Sequence, residues 1–438
     1  MFINELYLKN FRGFDEKIFR FDKRFSVFAG ENGSGKTAVL EGLCVALGGW
    51  LFGFDGLEGK DKRNIYKNDI RKISAKVSSA ILPQTPVQVK CLTKYRDRNI
   101  EWSRSVDKVG GHTTYGGLSE VNKVTKEISN KIYKAEDTEI ILPIVAYYSA
   151  ARLWSEPIQK SKNYQKETIR IKGYSRALSF GQSIDNVMKY IDILAHRANK
   201  NPDDSAEFDA IMEALKKCLD NIVSNVKIDY DIKSAEIVVI HNENLKLHYS
   251  QLSDGYRCMI SLIADIAYKM SILNPHLKEF AIAETTGVVL IDELDLHLHP
   301  KWQRVVVNDL KKIFPKVQFI ATTHSPFIIQ SLEDGELITL DRSIDIEYSG
   351  ESIEDIAEDV MGIEIPQYSK HKQSMYEAAS KYFAALNNVT TKVDVEELKV
   401  ELDLLSAKYG DNVAYYAFIE QKYYAKKAEL EEKNETCR

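Results

Sequence analysis

Gly30-Glu31-Asn32-Gly33-Ser34-Gly35-Lys36-Thr37 is the stretch that decides the fold. It fits G-x-x-x-x-G-K-[ST], a loop whose glycines let backbone N–H groups turn inward on phosphate oxygens. A short apolar run, Phe25-Ser26-Val27-Phe28-Ala29, comes just before it, and Ala38 to Leu47 begins a helix. Strand, glycine loop and helix N-terminus is the context such a loop needs, because the helix end adds partial positive charge to the amide donors. Asn32, Gly33, Ser34, Gly35, Lys36 and Thr37 are therefore expected to wrap the phosphates of ATP. Lys36 should reach the β- and γ-phosphates and Thr37 should ligate Mg2+.

Three further stretches supply groups such a loop would need. Val288-Val289-Leu290-Ile291 is apolar and ends in Asp292-Glu293. An acid pair after an apolar run is common by chance, but beside a phosphate loop it gains meaning. Asp292 at the strand tip can hold Mg2+ through water, and Glu293 can polarise the attacking water. Leu252-Ser253-Asp254-Gly255-Tyr256-Arg257 opens an apolar segment that reads as a buried helix to Leu273. Ser253 offers a hydroxyl at that helix N-terminus, and Gly255 permits close approach. Ala321-Thr322-Thr323-His324-Ser325-Pro326 closes another strand. Between them, Leu294-Asp295-Leu296-His297-Leu298-His299-Pro300 follows Glu293 directly. Its two histidines lack an acid partner set for metal and read as loop or interface residues.

Around these motifs the chain alternates in type. Residues 2 to 29 read as three strands turning at Arg12-Gly13 and Asp22-Lys23, and Val87 to Lys94 with Asn99 to Val106 reads as an antiparallel hairpin. Ile140 to Tyr148 reads as one buried strand. Ile184 to Asn199 and Ala206 to Val223 read as helices, followed by a meander over 226–249. Gly287 to Ile291, Lys301 to Phe314 and Val317 to Ala321 give the β-α-β rhythm of a parallel sheet. From Ser352 onward helical patterns dominate. The last two put Leu398, Leu402 and Leu405 on one face and Val413, Tyr416, Ile419 and Tyr423 on another, as in an antiparallel hairpin.

The chain has 438 residues, 44% of them hydrophobic and 28% charged, with a net charge of −5. That is ample for a core and excludes a global basic field. Charge is uneven: 60–76 and 158–176 each carry a net +5. Tyr164 and Tyr174 interleave with the second segment, which would suit nucleic-acid stacking, although charge runs are usually solvated faces. The five cysteines include no C-x-x-C pair, which argues for a reducing compartment and against zinc. With no signal-peptide pattern and no bilayer-length apolar run, the expected compartment is cytoplasmic and no membrane partner is expected.

Asn10-Phe11-Arg12-Gly13-Phe14 precedes the loop. With it, the order of motifs resembles the RecF/SMC-type branch of ABC ATPases. Within that branch, Leu-Ser-Asp-Gly-Tyr-Arg, Leu-His-Leu-His-Pro-Lys-Trp-Gln and Thr-Thr-His-Ser-Pro resemble the stand-alone bacterial AAA-type ATPases, the family that includes PtuA of the Septu and retron-associated anti-phage systems. The likeness covers about residues 1–345. It implies an α/β fold: an ABC-type ATPase head with mixed β-sheets around a phosphate-loop core and a helical lobe, then a C-terminal helical extension. The head would span 1–345, with a partly helical insertion at about 155–232, and the region 346–438 would serve packing, oligomerisation or partner docking.

The resemblance also implies roles. Ser253 and Gly255 would belong to a signature segment contacting the γ-phosphate held by another subunit. Asp295 would shape the dimer interface, His324 would sense the γ-phosphate as a switch, and Arg12 would lie near the nucleotide. Glu293 and His324 would be the catalytic pair, with ATP and Mg2+ as cofactors. Asp254 and Tyr256 depart from the L-S-G-G-Q signature. No glutamine follows the Ile140 strand until Gln159, so Ser149 or a nearby tyrosine is the candidate substitute for the usual metal-sensing contact.

The implied function is an ATPase that sandwiches ATP between protomers, as a homodimer or higher even oligomer, and controls a separate HNH-type nuclease in anti-phage defence. The 215 residues between Thr37 and Leu252 exclude long coiled-coil arms. No acid run resembling a Toprim nuclease follows His324, and no H-N-H constellation is visible. A RecF-like DNA repair ATPase and a nucleotide-controlled scaffold with negligible hydrolysis are the alternatives, and nucleic acid remains a possible partner.

Overall fold

Strands that are apolar along their whole length need cover on both faces, which is the condition of a parallel sheet flanked by helices. Phe25–Ala29, Ile144–Tyr148, Gly287–Ile291 and Val317–Thr322 are each buried at every residue. They form one parallel sheet in the order Leu337–Thr339, Phe25–Ala29, Val317–Thr322, Gly287–Ile291, Ile144–Tyr148. Because all five strands run the same way, the residues that follow their C-terminal ends gather along one edge. Gly30, Thr323, Asp292 and Ser149 are therefore brought together by topology.

The computed structural model describes residues 1–74, 81–134, 139–151, 169–179, 184–220, 226–241, 245–340, 350–363, 370–388, 396, 398–404 and 413–435. Most of the basic run 158–176, with Tyr164 and Gln159, lies outside the described residues, as do Lys76, Leu405 and the side chains of Val413 and Tyr416. The described chain divides into two units, Met1–Gly362 and Ile363–Arg438.

In the first unit a four-stranded antiparallel sheet runs Phe14–Arg20, Phe2–Phe11, Val87–Tyr95, Arg98–Val106. The hairpin read from the sequence is present, and it is stitched edge to edge to the first strand. The helix Lys36–Leu51 leaves the phosphate loop and is buried at every residue but Thr37. Beyond lie Ile184–Lys200, Ala206–Asp220, a meander of Val226–Asp231, Glu236–His241 and Leu245–His248, and the helix Asp254–Leu273.

Two elements differ from their sequence pattern. The strand read over 140–148 starts only at Ile144. Ahead of it, the Asn274 side chain accepts from Leu142 N at 2.7 Å and donates to Leu142 O at 2.9 Å, replacing ladder bonds. The helix read over 301–314 is two helices, Pro300–Gln303 and Val306–Ile313, interrupted at Val305 with φ −115°. Ile353–Asp359 belongs with the first unit: Ile356 and Val360 bury against Ala29 and Ile329, so the helix braces the strand that feeds the loop.

The second unit has its own small core of Ala379, Tyr382, Leu386, Leu402, Ile419 and Tyr423. The pattern named the faces of the last two helices, and the structure adds Lys370–Asn388 as a third contributor. Among the described residues no helix is long and apolar enough to cross a membrane.

Candidate functional site

The loop takes its shape from glycine. Gly33 and Gly35 lie at φ +89° and +103°, a region that side-chain-bearing residues rarely adopt. At Gly35 a Cβ would stand 2.8 Å from the ring of Phe14, so the aromatic ring of the Asn10–Phe14 stretch forms the floor beneath the loop. Lys36 Nζ donates to Gly30 O and Glu31 O, each at 2.8 Å. Ser34 Oγ is buried without a hydrogen-bond partner. A buried hydroxyl left unsatisfied is costly, and a phosphate oxygen would complete it.

Thr37, in the first turn of the loop helix, and Asp292, just past the end of a strand, meet. Thr37 Oγ1 lies 3.2 Å from both carboxylate oxygens of Asp292. Thr322 Oγ1 also donates to Asp292 Oδ1, at 2.6 Å. A hydroxyl and a carboxylate at one point, beside a phosphate cradle, is a donor set that suits Mg2+, which takes one or two protein oxygens plus phosphate and water. Among the described residues no cluster of three or more His, Cys, Asp or Glu could hold a metal unaided.

Glu293 is set at φ +50°, a strained conformation for a residue with a Cβ, costing on the order of 1 kcal/mol. Its backbone N–H donates to Thr322 Oγ1 at 2.8 Å, and Leu294 N donates to Thr322 O at 2.8 Å, which hold the turn. Asp295 Oδ1 accepts from Thr323 Oγ1 at 2.6 Å and from His324 N at 3.1 Å. The sequence alone assigns Thr322 and Thr323 no role. They tie the two acidic loops together, and their position just ahead of His324 was the available signal. Gln303 adds a brace, donating to Leu298 O at 2.8 Å and accepting from Ser325 Oγ at 2.6 Å. His324 is partly buried, and its pKa lies below the usual 6.5. Burial is the main cause, the Lys36 ammonium adds to it, and Asp295, Glu293 and Asp292 oppose it. His297 and His299 are exposed.

Arg12 sits at φ +50° with two of its nitrogens committed. Nη2 pairs with Glu41 at 2.8 Å and Nε with Asp69 at 3.0 Å. Arg63 bonds the same two carboxylates, at 2.6 and 2.9 Å, and is 6% exposed. Glu41 lies one turn beyond Thr37, so this balanced cluster of two acids and two guanidinium groups backs the loop helix. Sequence reasoning counted Arg63 as surface charge. Arg71 pairs with Asp15 at 3.2 Å, and Lys62 lies 4.9 Å over the ring of Phe52. The 60–76 run is thus partly spent within the fold. Tyr174, offered above as a stacking residue, is fully buried and donates to Pro143 O at 2.7 Å, so that expectation is corrected.

Ser253 is exposed and occupies the N-cap position of the helix Asp254–Leu273, yet its hydroxyl does not cap the helix. Its oxygen is left available to an outside group. At Gly255 a Cβ would meet His297 O at 2.8 Å, so the glycine lets the helix start close to the loop after Glu293. Tyr256 packs edge-on against Trp302, with ring centroids 4.7 Å apart.

A parallel sheet with the phosphate loop and the Asp292-Glu293 strand on either side of the His324 strand, an added antiparallel sheet and a helical lobe opening at Ser253 define an ABC-type ATPase head. The AAA domain family matches residues 5–223 and the AAA ATPase domain family matches residues 118–329. The chain belongs to this AAA family and is an ATPase. It is 27% identical to the Septu protein PtuA of Bacillus thuringiensis over 92% of this chain and 93% of that protein. It is 23% identical to the Retron Ec83 probable ATPase of Escherichia coli over 76% of this chain and 70% of that protein. Among solved structures, the SMC head domain from Thermotoga maritima aligns with a TM-score of 0.43 and 15% identity, over 77% of this chain and 94% of that one.

Proposed function

We propose that this chain is the ATPase subunit of an anti-phage defence complex, in which two copies close on ATP and the closed state governs a separate HNH-type nuclease. The likeness to the Septu protein over nearly the whole of both chains supports the defence reading. The observation that carries the sandwich is Ser253: an exposed hydroxyl, unused by its own helix, at the positive end of a 20-residue helix. An anion presented by a second copy would complete it.

Within each site the loop amides, Asn32, Ser34 and Lys36 hold the phosphates. Thr37 and Asp292 are the residues that would hold Mg2+, which would supply positive charge to offset that of the phosphates. Glu293 takes the proton of the attacking water. His324 stays neutral and donates its ring N–H to the γ-phosphate. Asp295 shapes the interface loop, Gly255 lets the partner helix approach, and Arg12, anchored by Glu41, faces the region one turn from Thr37.

This reading sets a pH dependence. His324 has a depressed pKa, so it remains neutral from alkaline pH down through 6.5 and charges only in more acid solution. The acid limb of kcat/KM is expected below pH 6.5; a limb centred above 6.5 would contradict a neutral His324.

The defence role is tested by phage plating. A susceptible strain carrying this chain with an adjacently encoded HNH nuclease is expected to restrict plaques, and the Glu293→Gln allele to lose restriction. Equal restriction by both alleles, or restriction without the nuclease, would overturn the reading.

A further inference from the structure

We propose that Tyr148 is a positioning residue that ties the nucleotide site to the helix bearing Ser253. The inference rests on the ATP-sandwich reading and names the part of the fold that transmits nucleotide state to the partner-facing surface. Tyr148 ends the strand Ile144–Tyr148 and lies beside Ile291 in register. Its backbone oxygen accepts from Asp292 N at 2.8 Å, so its main chain is bonded to the very residue whose carboxylate meets Thr37. Its side chain goes the other way. The phenol donates to Asp265 Oδ2 at 2.6 Å, and Asp265 lies on the helix Asp254–Leu273.

One residue therefore spans two bodies that must move together if ATP is to control an interface. Asp265 lies about 18 Å along the helix axis from Ser253, since each residue rises about 1.5 Å. A helix is stiff over that length, so a shift at Asp292 that displaces Tyr148 is carried to the Ser253 tip. The far end of the bond is fixed as well. Asp265 pairs with Lys269 one turn on, and the Lys269 ammonium stands 5.8 Å over the Tyr148 ring. Tyr148 is 3% exposed, Asp265 8% and Lys269 5%. A buried acid balanced by one cation and one phenol is satisfied in one arrangement only, because a slipped phenol would leave a polar group unpaired in a dry setting. That makes the tie directional, whereas the apolar packing around it tolerates sliding. The same helix touches the loop after Glu293 through Gly255 and His297 O. Tyr148 supplies the hold at mid-helix that turns this tip contact into a lever.

Tyr148→Phe removes the bond across the two bodies and leaves the Asp265–Lys269 pair in place. Lys269→Met removes the pair and leaves the bond across. The experiment measures equilibrium affinity for a fluorescent ATP analogue, steady-state kcat and KM for ATP, and Tm for wild type and both variants of the full chain. Tyr148→Phe is expected to lower kcat about tenfold, with nucleotide affinity within twofold of wild type. Lys269→Met is expected to lower Tm without that split between binding and turnover. Tyr148→Phe with kcat within twofold of wild type would overturn the inference, as would loss of kcat and affinity in the same proportion in both variants. Full turnover by a Ser253→Arg variant would overturn the sandwich reading by itself, which separates the two failures.

Discussion

Glu293→Gln is expected to slow ATP turnover by about 10²–10³-fold while ATP affinity stays within a few-fold of wild type. The reason is local. Glu293 is held in its left-handed conformation by bonds through its backbone and that of Leu294, to Thr322, and these do not involve its carboxylate. Glutamine has the same shape, so the turn survives. An amide cannot take a proton from water, so the chemical step is what fails. The phosphate loop, Lys36 and the Thr37–Asp292 pair are untouched, so binding persists. The same variant with ATP and Mg2+ should accumulate as a closed species at twice the 49.9 kDa chain mass in light scattering. A variant that hydrolyses ATP at the wild-type rate would remove Glu293 from the catalytic role.

Ser253→Arg is expected to abolish turnover nearly as completely, with ATP affinity and thermal stability preserved. An exposed side chain that makes no cap bond gives its own fold little to lose, and surface changes of this kind usually move stability by no more than about 0.5 kcal/mol. The bulk and charge of arginine would instead obstruct whatever docks on the helix tip. Phosphate release, nucleotide titration and a melting curve read the three quantities. A variant that loses stability and binding together would mean that Ser253 serves its own protomer.

The site was legible in the sequence wherever its parts are short strings at strand ends. The loop, Asp292-Glu293 and Thr322-Thr323-His324 each follow an apolar run, and a parallel sheet collects such ends along one edge whatever the intervening length. What stayed hidden needed a partner far along the chain. Arg63 reads as one of seven cations in a basic run, and only the fold brings it to Glu41. Tyr174 reads as an exposed stacker because periodicity says nothing about a segment that folds back under Pro143. Tyr148 and Asp265 are 117 residues apart, and no local pattern predicts their bond. The strand over 140–148 was read too long because the Asn274 side chain, from another element, takes the ladder positions at Leu142. Apolar period reports which face is buried, and charge and hydrogen-bond pairing report to the tertiary fold.

The shared site is tested most directly by mixing Glu293→Gln with Ser253→Arg. Each is expected to be inactive alone, since one lacks the proton acceptor and the other the closing helix tip. In a mixed dimer, the Ser253→Arg protomer brings an intact loop and Glu293, and its partner brings an intact Ser253. Random pairing at equal amounts then restores about a quarter of wild-type turnover, because half the dimers are mixed and each holds one complete site of two. A mixture no more active than the two variants measured separately would contradict a nucleotide site built from two chains.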